Sequence, residues 1–412
     1  LSQKPLRLLT FSSLFPSSAR PQHGLFVAAR LRELRRRHGF DAEVLAPVPW
    51  FPLSYPRFGD YARWAKTPKT EQWEGQSVAH PSYFMLPGLS MRWQPQSMAR
   101  SALRWLRQRQ AQGAVYDMVD AHYFYPDGVA AAVLARHLNV PLVITARGSD
   151  LNLIGQNALA RSSMLKAAEQ ASACVGVSAA LVQVLREWGV PQRKLHVIRN
   201  GVDLTRFQMM DRLEARKRVG QHLKQSIGGP LLLSVGNLVE LKGHALLIEA
   251  VGALRERLPA LRLLIVGEGP ERSHLEQLIE RLSLKDRVHL VGVVPNAALS
   301  AWYSAADLKV LVSSREGLPN VLLEALACGT PVLATAVGGV PELVTEPFLG
   351  SLLEERTVPA LVQAIAAQLQ ANALVDRVQL REHAQGFSWD ATSDRLAHLM
   401  QNLRTPAETA HA

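Results

Sequence analysis

Short apolar runs alternate with segments of helical period along the whole chain. Leu6–Phe11, Glu43–Ala46, Met118–Ala121, Leu142–Thr145, Cys174–Val177 and His196–Ile198 read as strands, each followed by a turn or a helix-like stretch. That alternation predicts a parallel sheet covered on both faces. The pattern then restarts with Leu231–Val235, Leu261–Val266, Val288–Val291, Leu308–Val312 and Val332–Ala334, with helices at about 242–258, 271–283, 319–328 and 357–371. Between the two sets, Asn200–Pro230 carries the breakers Gly201, Gly228, Gly229 and Pro230, and predicts the connection between domains. The expected α/β architecture has parallel-sheet domains at 1–200 and 201–388. A last helix at 389–403 is expected to pack back on the first domain, ahead of a polar tail at 404–412.

Composition narrows this picture. A chain of 412 residues suits two cores better than one. Its richest apolar stretch, Val129–Ile144, is interrupted by Arg136, His137 and Asn139, so no membrane span is expected. Lys4 and Arg7 precede an apolar run, as in a leader peptide. The run is short and carries Thr10, Ser12 and Ser13, which favours a first buried strand. Cys174 and Cys328 sit in separate apolar segments and read as buried thiols of a reducing compartment. The net charge of +11 is uneven: residues 1–200 hold +13 and residues 201–412 hold −2. A basic first half suggests an anionic partner. Residues 50–112 are less regular, and Trp93, Arg100, Arg104, Trp105, Arg107 and Arg109 combine aromatic and basic character. A solvated helix and a membrane- or acceptor-facing surface both fit them.

Candidate chemistry concentrates in the second half. In the stretch from Arg315 to Val332 a strand end is followed by a glycine loop, then Pro319 at the expected first helical position, with Gly329 and Pro331 closing the helix. The amides of Gly317, Leu318 and Asn320 at that helix start suit a diphosphate. Glu316 and Glu324 are poor partners for phosphate and good acceptors for sugar and ribose hydroxyls. Gly236, Asn237 and Lys242 follow the first strand of the second half, where a lysine can neutralise a leaving diphosphate as a point charge. Gly267-Glu268-Gly269-Pro270 is a further strand-end turn. It lacks the third glycine of a dinucleotide fingerprint, so no NAD site is read there.

Together these segments resemble the GT4-type family of retaining glycosyltransferases with the GT-B fold, most densely over residues 231–345. Glu316 and Glu324 match the family's paired glutamates. Ala336-Val337-Gly338-Gly339-Val340-Pro341-Glu342 matches its glycine turn, and Asn200-Gly201-Val202-Asp203 its interdomain entry. Pro21-Gln22-His23-Gly24-Leu25-Phe26-Val27 resembles the loop whose glycine approaches the donor diphosphate. Ala121-His122-Tyr123 and Thr145-Ala146-Arg147-Gly148-Ser149-Asp150 fall where members build the acceptor and sugar face. Two positions depart from the pattern: Arg147 stands where many members carry His, and Asn237 where many carry Arg. Two readings of Arg147 stand: it replaces the charge missing at Asn237, or it caps a strand end or meets an anionic acceptor.

The resemblance implies two Rossmann-like domains facing across a cleft, and transfer with retention from a nucleotide-diphospho-sugar, a UDP- or GDP-sugar. Lys242, Glu316, His122 and Arg147 are then the expected catalytic group. Gly24, Asn237, Glu268, Gly317, Leu318, Pro319, Asn320 and Glu324 are expected to bind the donor, and Asp150 and Tyr123 the acceptor. No Asp-x-Asp motif occurs, so neither a metal site nor another cofactor is expected. The expected acceptor is a glycan or lipid-linked sugar, met in the cytoplasm or at the inner face of an anionic membrane. Two other readings are a sugar-nucleotide epimerase of the same fold and a non-catalytic binding module. No nucleic-acid motif supports a nucleic-acid partner.

Overall fold

The computed structural model describes residues 5–52, 55, 59–86, 90–371 and 375–404, so the tail beyond Arg404 lies outside the described residues. The chain forms two compact units, Leu1–Asn200 with Trp389–Ala412, and Gly201–Ser388.

Unit 1 contains β1 (Arg7–Phe11), β2 (Asp41–Leu45), β3 (Val48–Pro49), β4 (Thr70–Trp73), β5 (Gln76–Ala79), β6 (Ser82–Tyr83), β7 (Met118–His122), β8 (Leu142–Ala146), β9 (Ala173–Gly176) and β10 (Leu195–Val197). Eight of them form one sheet in the order β10-β9-β8-β7-β1-β2-β5-β4, and β3 pairs with β6 apart from it. All pairings are parallel except the β4–β5 hairpin at the edge. The helices are α1 (Leu25–His38), α2 (Asp60–Ala65), α3 (Gln94–Ala111), α4 (Val129–Leu138), α5 (Ser149–Asn152), α6 (Ala158–Gln170) and α7 (Ala179–Glu187). The central strands are buried along their length, which is why they read as unbroken apolar runs. Within the irregular stretch at 50–112, the described residues form α2, the edge hairpin, β6 and α3.

Unit 2 opens with α8 (Arg212–Leu223), inside the segment expected to be a plain connection. Asp211 caps it by accepting from the Glu214 amide at 3.0 Å. Its face is largely charged, so the apolar period that would reveal it is weak. There follow β11 (Leu231–Val235), α9 (His244–Ala253), β12 (Arg262–Val266), α10 (Arg272–Arg281), β13 (Val288–Gly292), α11 (Leu299–Ala305), β14 (Leu308–Leu311), α12 (Asn320–Ala327), β15 (Val332–Thr335), β16 (Gly350–Leu353), α13 (Val358–Ala371) and α14 (Arg377–Gln385). The sheet runs β13-β12-β11-β14-β15-β16, all parallel. Leu232, Leu263, Ile265, Leu308 and Val310 fill its core with α9, α10 and α13.

The last helix, α15 (Trp389–Leu403), belongs to unit 1. Its Leu396, Ala397 and Met400 share a core cluster with Leu31 and Leu34 of α1. Arg36 and Arg37 of α1 pair with Asp390 and Asp394 at 2.7 and 2.9 Å.

Candidate active site

In unit 2 the chemistry gathers at the C-terminal ends of parallel strands, where open α/β sheets hold ligands. After β11 the chain passes Gly236 and Asn237, makes a short turn at Glu240–Lys242, and enters α9 through Gly243. The Ser314 amide donates to the Leu241 carbonyl at 2.9 Å, drawing this turn to the loop after β14. Lys242 Nζ then meets Glu316 Oε1 at 2.6 Å, with side chains 21% and 11% exposed. A Cβ on Gly338 would lie 2.0 Å from the Glu316 carbonyl oxygen, so the glycine turn after β15 packs directly under the Glu316 backbone. Pro319 is the residue before α12 rather than its first residue: its ψ of 103° is extended, and the helix begins at Asn320. Gly317, Leu318 and Asn320 surround that start. Glu324, half-buried one turn on, accepts from the Tyr303 hydroxyl at 2.7 Å. Burial raises the Glu324 pKa against the opposing pull of Tyr303 and Lys309.

The other donor-side candidates lie further out. Asn237 is exposed. Glu268 follows β12 and pairs with Arg272 at 2.7 Å. Lys309, outside the expected set, is fully buried on β14. Its Nζ donates to the Val310 carbonyl at 2.8 Å. Burial and the Lys242 charge push its pKa down to about 7, opposed by Glu316 and Glu324. A lone lysine inside an apolar strand is the signal that could have found it.

In unit 1 the candidates also stand at strand ends. His122 closes β7 and is 1% exposed. Its Nε2 lies 3.1 Å from Asp120 Oδ2, and its Nδ1 lies 2.5 Å from Arg147 Nη2. Burial pushes the His122 pKa down to about 4, opposed by Asp120 and reinforced by Arg147. Both ring nitrogens are therefore occupied within unit 1, and the imidazole is neutral. Arg147 also donates to Asn200 Oδ1 at 2.7 Å and lies over the Phe26 ring at 4.8 Å. Burial lowers its pKa, but a guanidinium keeps its proton in a protein.

Asp150 is fully buried and accepts from the amides of Phe124, Gly148 and Arg147 at 2.8, 2.8 and 3.1 Å. It shapes the turn after β8 with its carboxylate. Tyr123, half-buried with φ of 85°, shares a 2.6 Å hydrogen bond with Ser149 Oγ. Gly24 has φ of 69°, and a Cβ there would fall 2.2 Å from the Leu14 carbonyl oxygen. The close approach it permits is to the chain's own backbone. Asp120 and Arg30, absent from the expected set, are both buried, with 4.0 Å between Arg30 Nη2 and Asp120 Oδ1. The burial of Asp127 raises its pKa to about 7, although Ser13 donates to it from both its amide and its hydroxyl.

Among the described residues, no group of three or more His, Cys, Asp or Glu is arranged to hold a metal ion, and no helix is long and apolar enough to cross a membrane. Two family models match: glycosyl transferases group 1 over residues 220–386, and glycosyltransferase family 4 over residues 32–206. The chain is 33% identical over 371 residues to TuaC of Bacillus subtilis, named for teichuronic acid biosynthesis; the match covers 87% of this chain and 88% of TuaC. Among solved structures it is similar to a sucrose-phosphate synthase from Thermosynechococcus elongatus, with TM-score 0.79, 21% identity, and coverage of 97% and 99%. It is also similar to HepE from Anabaena in complex with UDP-glucose, with TM-score 0.72, 19% identity, and coverage of 97% and 100%. Those likenesses carry the fold, and the identity to TuaC carries the kinship: the chain belongs to the group 1 glycosyltransferases and has their GT-B fold.

Proposed function

We propose that the chain transfers a sugar from a nucleotide-diphospho-sugar to a glycan or lipid-linked acceptor, with retention of the donor's configuration and without a metal ion. The observation that carries this reading is the Lys242–Glu316 pair beside the start of α12. On donor binding, the Lys242 ammonium exchanges its carboxylate partner for the leaving diphosphate. The amides of Gly317, Leu318 and Asn320 add the positive end of α12. Glu316, released, accepts from hydroxyls of the sugar, and Glu324 accepts from the ribose. Stabilising the charge that develops on the leaving group is the main catalytic term. Arg147 in unit 1 is the cation for an anionic group of the substrate.

A uridine donor is the first to try, because HepE was solved with UDP-glucose. An acceptor from polymer assembly suits the kinship with TuaC. Peripheral contact with an anionic membrane is supported by exposed Trp50, Phe84 and Trp93, at 53%, 52% and 43%. The Trp50 amide donates to Tyr83, and Ser97 of α3 donates to the Phe84 carbonyl, so these side chains flank one region with Arg100 and Arg104 exposed along α3. Pelleting with anionic but not neutral liposomes is the expected result.

A thermal-shift screen of UDP, GDP, ADP and their sugar conjugates tests the donor. A bound nucleotide at 100 times Kd stabilises by about 2.7 kcal/mol. No shift with any of them would overturn the reading. NMR of the product's anomeric proton tests retention, and transfer that stops with EDTA would overturn metal independence.

A further inference from the structure

Strand β7 carries two polar side chains, Asp120 and His122, in one of the most buried positions of unit 1. Two residues apart on a strand, they share one face of the sheet. The bonds around them fix a proton count. Arginine has only donors, so His122 Nδ1 must accept from Arg147. A neutral imidazole that accepts at Nδ1 carries its proton at Nε2, and that proton points to Asp120 Oδ2. The set is then an ionised Asp120, a neutral His122 and a charged Arg147. Arg30 from α1 lies beside the other Asp120 oxygen and favours the ionised form. The second arm of the Arg147 guanidinium is tied to Asn200, and its face to Phe26. A free arginine side chain has several torsions to lose on binding an anion; this one is already fixed.

We infer that Asp120 and His122 are positioning residues that hold Arg147 as a rigid fork for an anionic group, phosphate or carboxylate, of the substrate. This rests on the reading that Arg147 meets substrate. His122 acts through Arg147. The charged groups that face the imidazole are Asp120 on its own strand, Arg147 after β8 and Arg30 on α1. Protonating Nδ1 would set two donors against each other and release the fork.

The test has arms with separate readouts. In the full chain with nitrogen-15 histidine, long-range proton–nitrogen correlation should find His122 as the Nε2–H tautomer, untitrated from pH 8 to 5. Loss of the signal in His122→Gln assigns it. Arg147→Ala should free Nδ1 and raise the His122 pKa towards 6.5. An Nδ1–H tautomer, or titration near 6.5 in the unaltered protein, overturns the relay. Titration with inorganic phosphate and separately with acetate, followed on the His122 nitrogens, identifies the anion; no shift with either overturns the fork. In transfer assays, His122→Phe should raise the KM of the anionic substrate about tenfold with little change in kcat. His122→Gln, whose carbonyl can accept from Arg147, should recover most of that loss. Equal KM values for the two variants at equal Tm overturn the positioning role. Absence of transfer by the unaltered protein would count against the transferase reading alone, since the spectroscopic arms would still decide the relay.

Discussion

The two units carry their cations in opposite ways. In unit 2 the Lys242 ammonium, a point charge on a flexible stem, is parked on Glu316 at a partly exposed strand end. In unit 1 the Arg147 guanidinium is gripped at two nitrogens and one face, with Asp120 and His122 buried behind it. A charge that must follow a departing group benefits from reach. A charge that must define where a group sits benefits from rigidity. In the proposed mechanism the lysine takes the rate role and the arginine the binding role.

The largest effect that would break this contrast is kinetic. Lys242→Ala should lower kcat by about 10²–10³ with a smaller change in KM, as expected for a lost partner of developing charge. Initial rates with a UDP-sugar check it, and an unchanged kcat would remove the lysine from the mechanism. Next in size is a packing change that separates the units. Leu396→Ala on α15 should cost unit 1 about 3 kcal/mol in urea unfolding, yet leave UDP binding by unit 2 unaltered. Arg147→Lys keeps the charge and loses the fork. It should raise KM about tenfold and spare kcat, whereas a matching fall in kcat would erase the division of roles.

The smallest effect concerns acid. Each unit buries one histidine whose pKa is pushed down to about 4, His122 and His244. Such a group binds a proton in the unfolded chain before it does so in the folded one. Its contribution is complete above about 6.5 and is lost as pH falls towards 4, at up to about 1.4 kcal/mol per pH unit. Asp127, raised to about 7, works in the opposite sense and favours the folded state at low pH. His122→Gln should remove one proton from the slope of stability between pH 6.5 and 4. An unchanged slope in a urea series would show that His122 titrates normally.

The same contrast explains what could be read from the chain alone. The strands β1, β7, β8, β11, β12 and β14 are covered on both faces, so their apolar runs stood out. The edge strand β4, Thr70–Trp73, has three polar residues before its one aromatic and no buried position to mark it, and α8 and α14 present mostly polar or charged faces. The Lys242–Glu316 region was legible because glycine and proline punctuate a strand, a loop and a helix in order. Asp120, Arg30 and Lys309 were not. Asp120 and Arg30 make sense only beside each other, and they come from elements distant in sequence, whereas Lys309 bonds locally to the Val310 carbonyl. Gly24 shows the reverse case: the glycine was legible, while the carbonyl of Leu14 that requires it was not.

Unit 1 is discontinuous, with all of unit 2 inserted between Asn200 and Trp389. During synthesis, the apolar face of α1 leaves the ribosome long before α15, which covers it, because all of unit 2 is made between them. At roughly 5–20 residues per second, that face waits on the order of ten seconds or more, during which unit 2 can fold first. A nascent chain of this protein thus offers a Leu31–Leu34 stripe that lacks its α15 cover until α15 itself emerges.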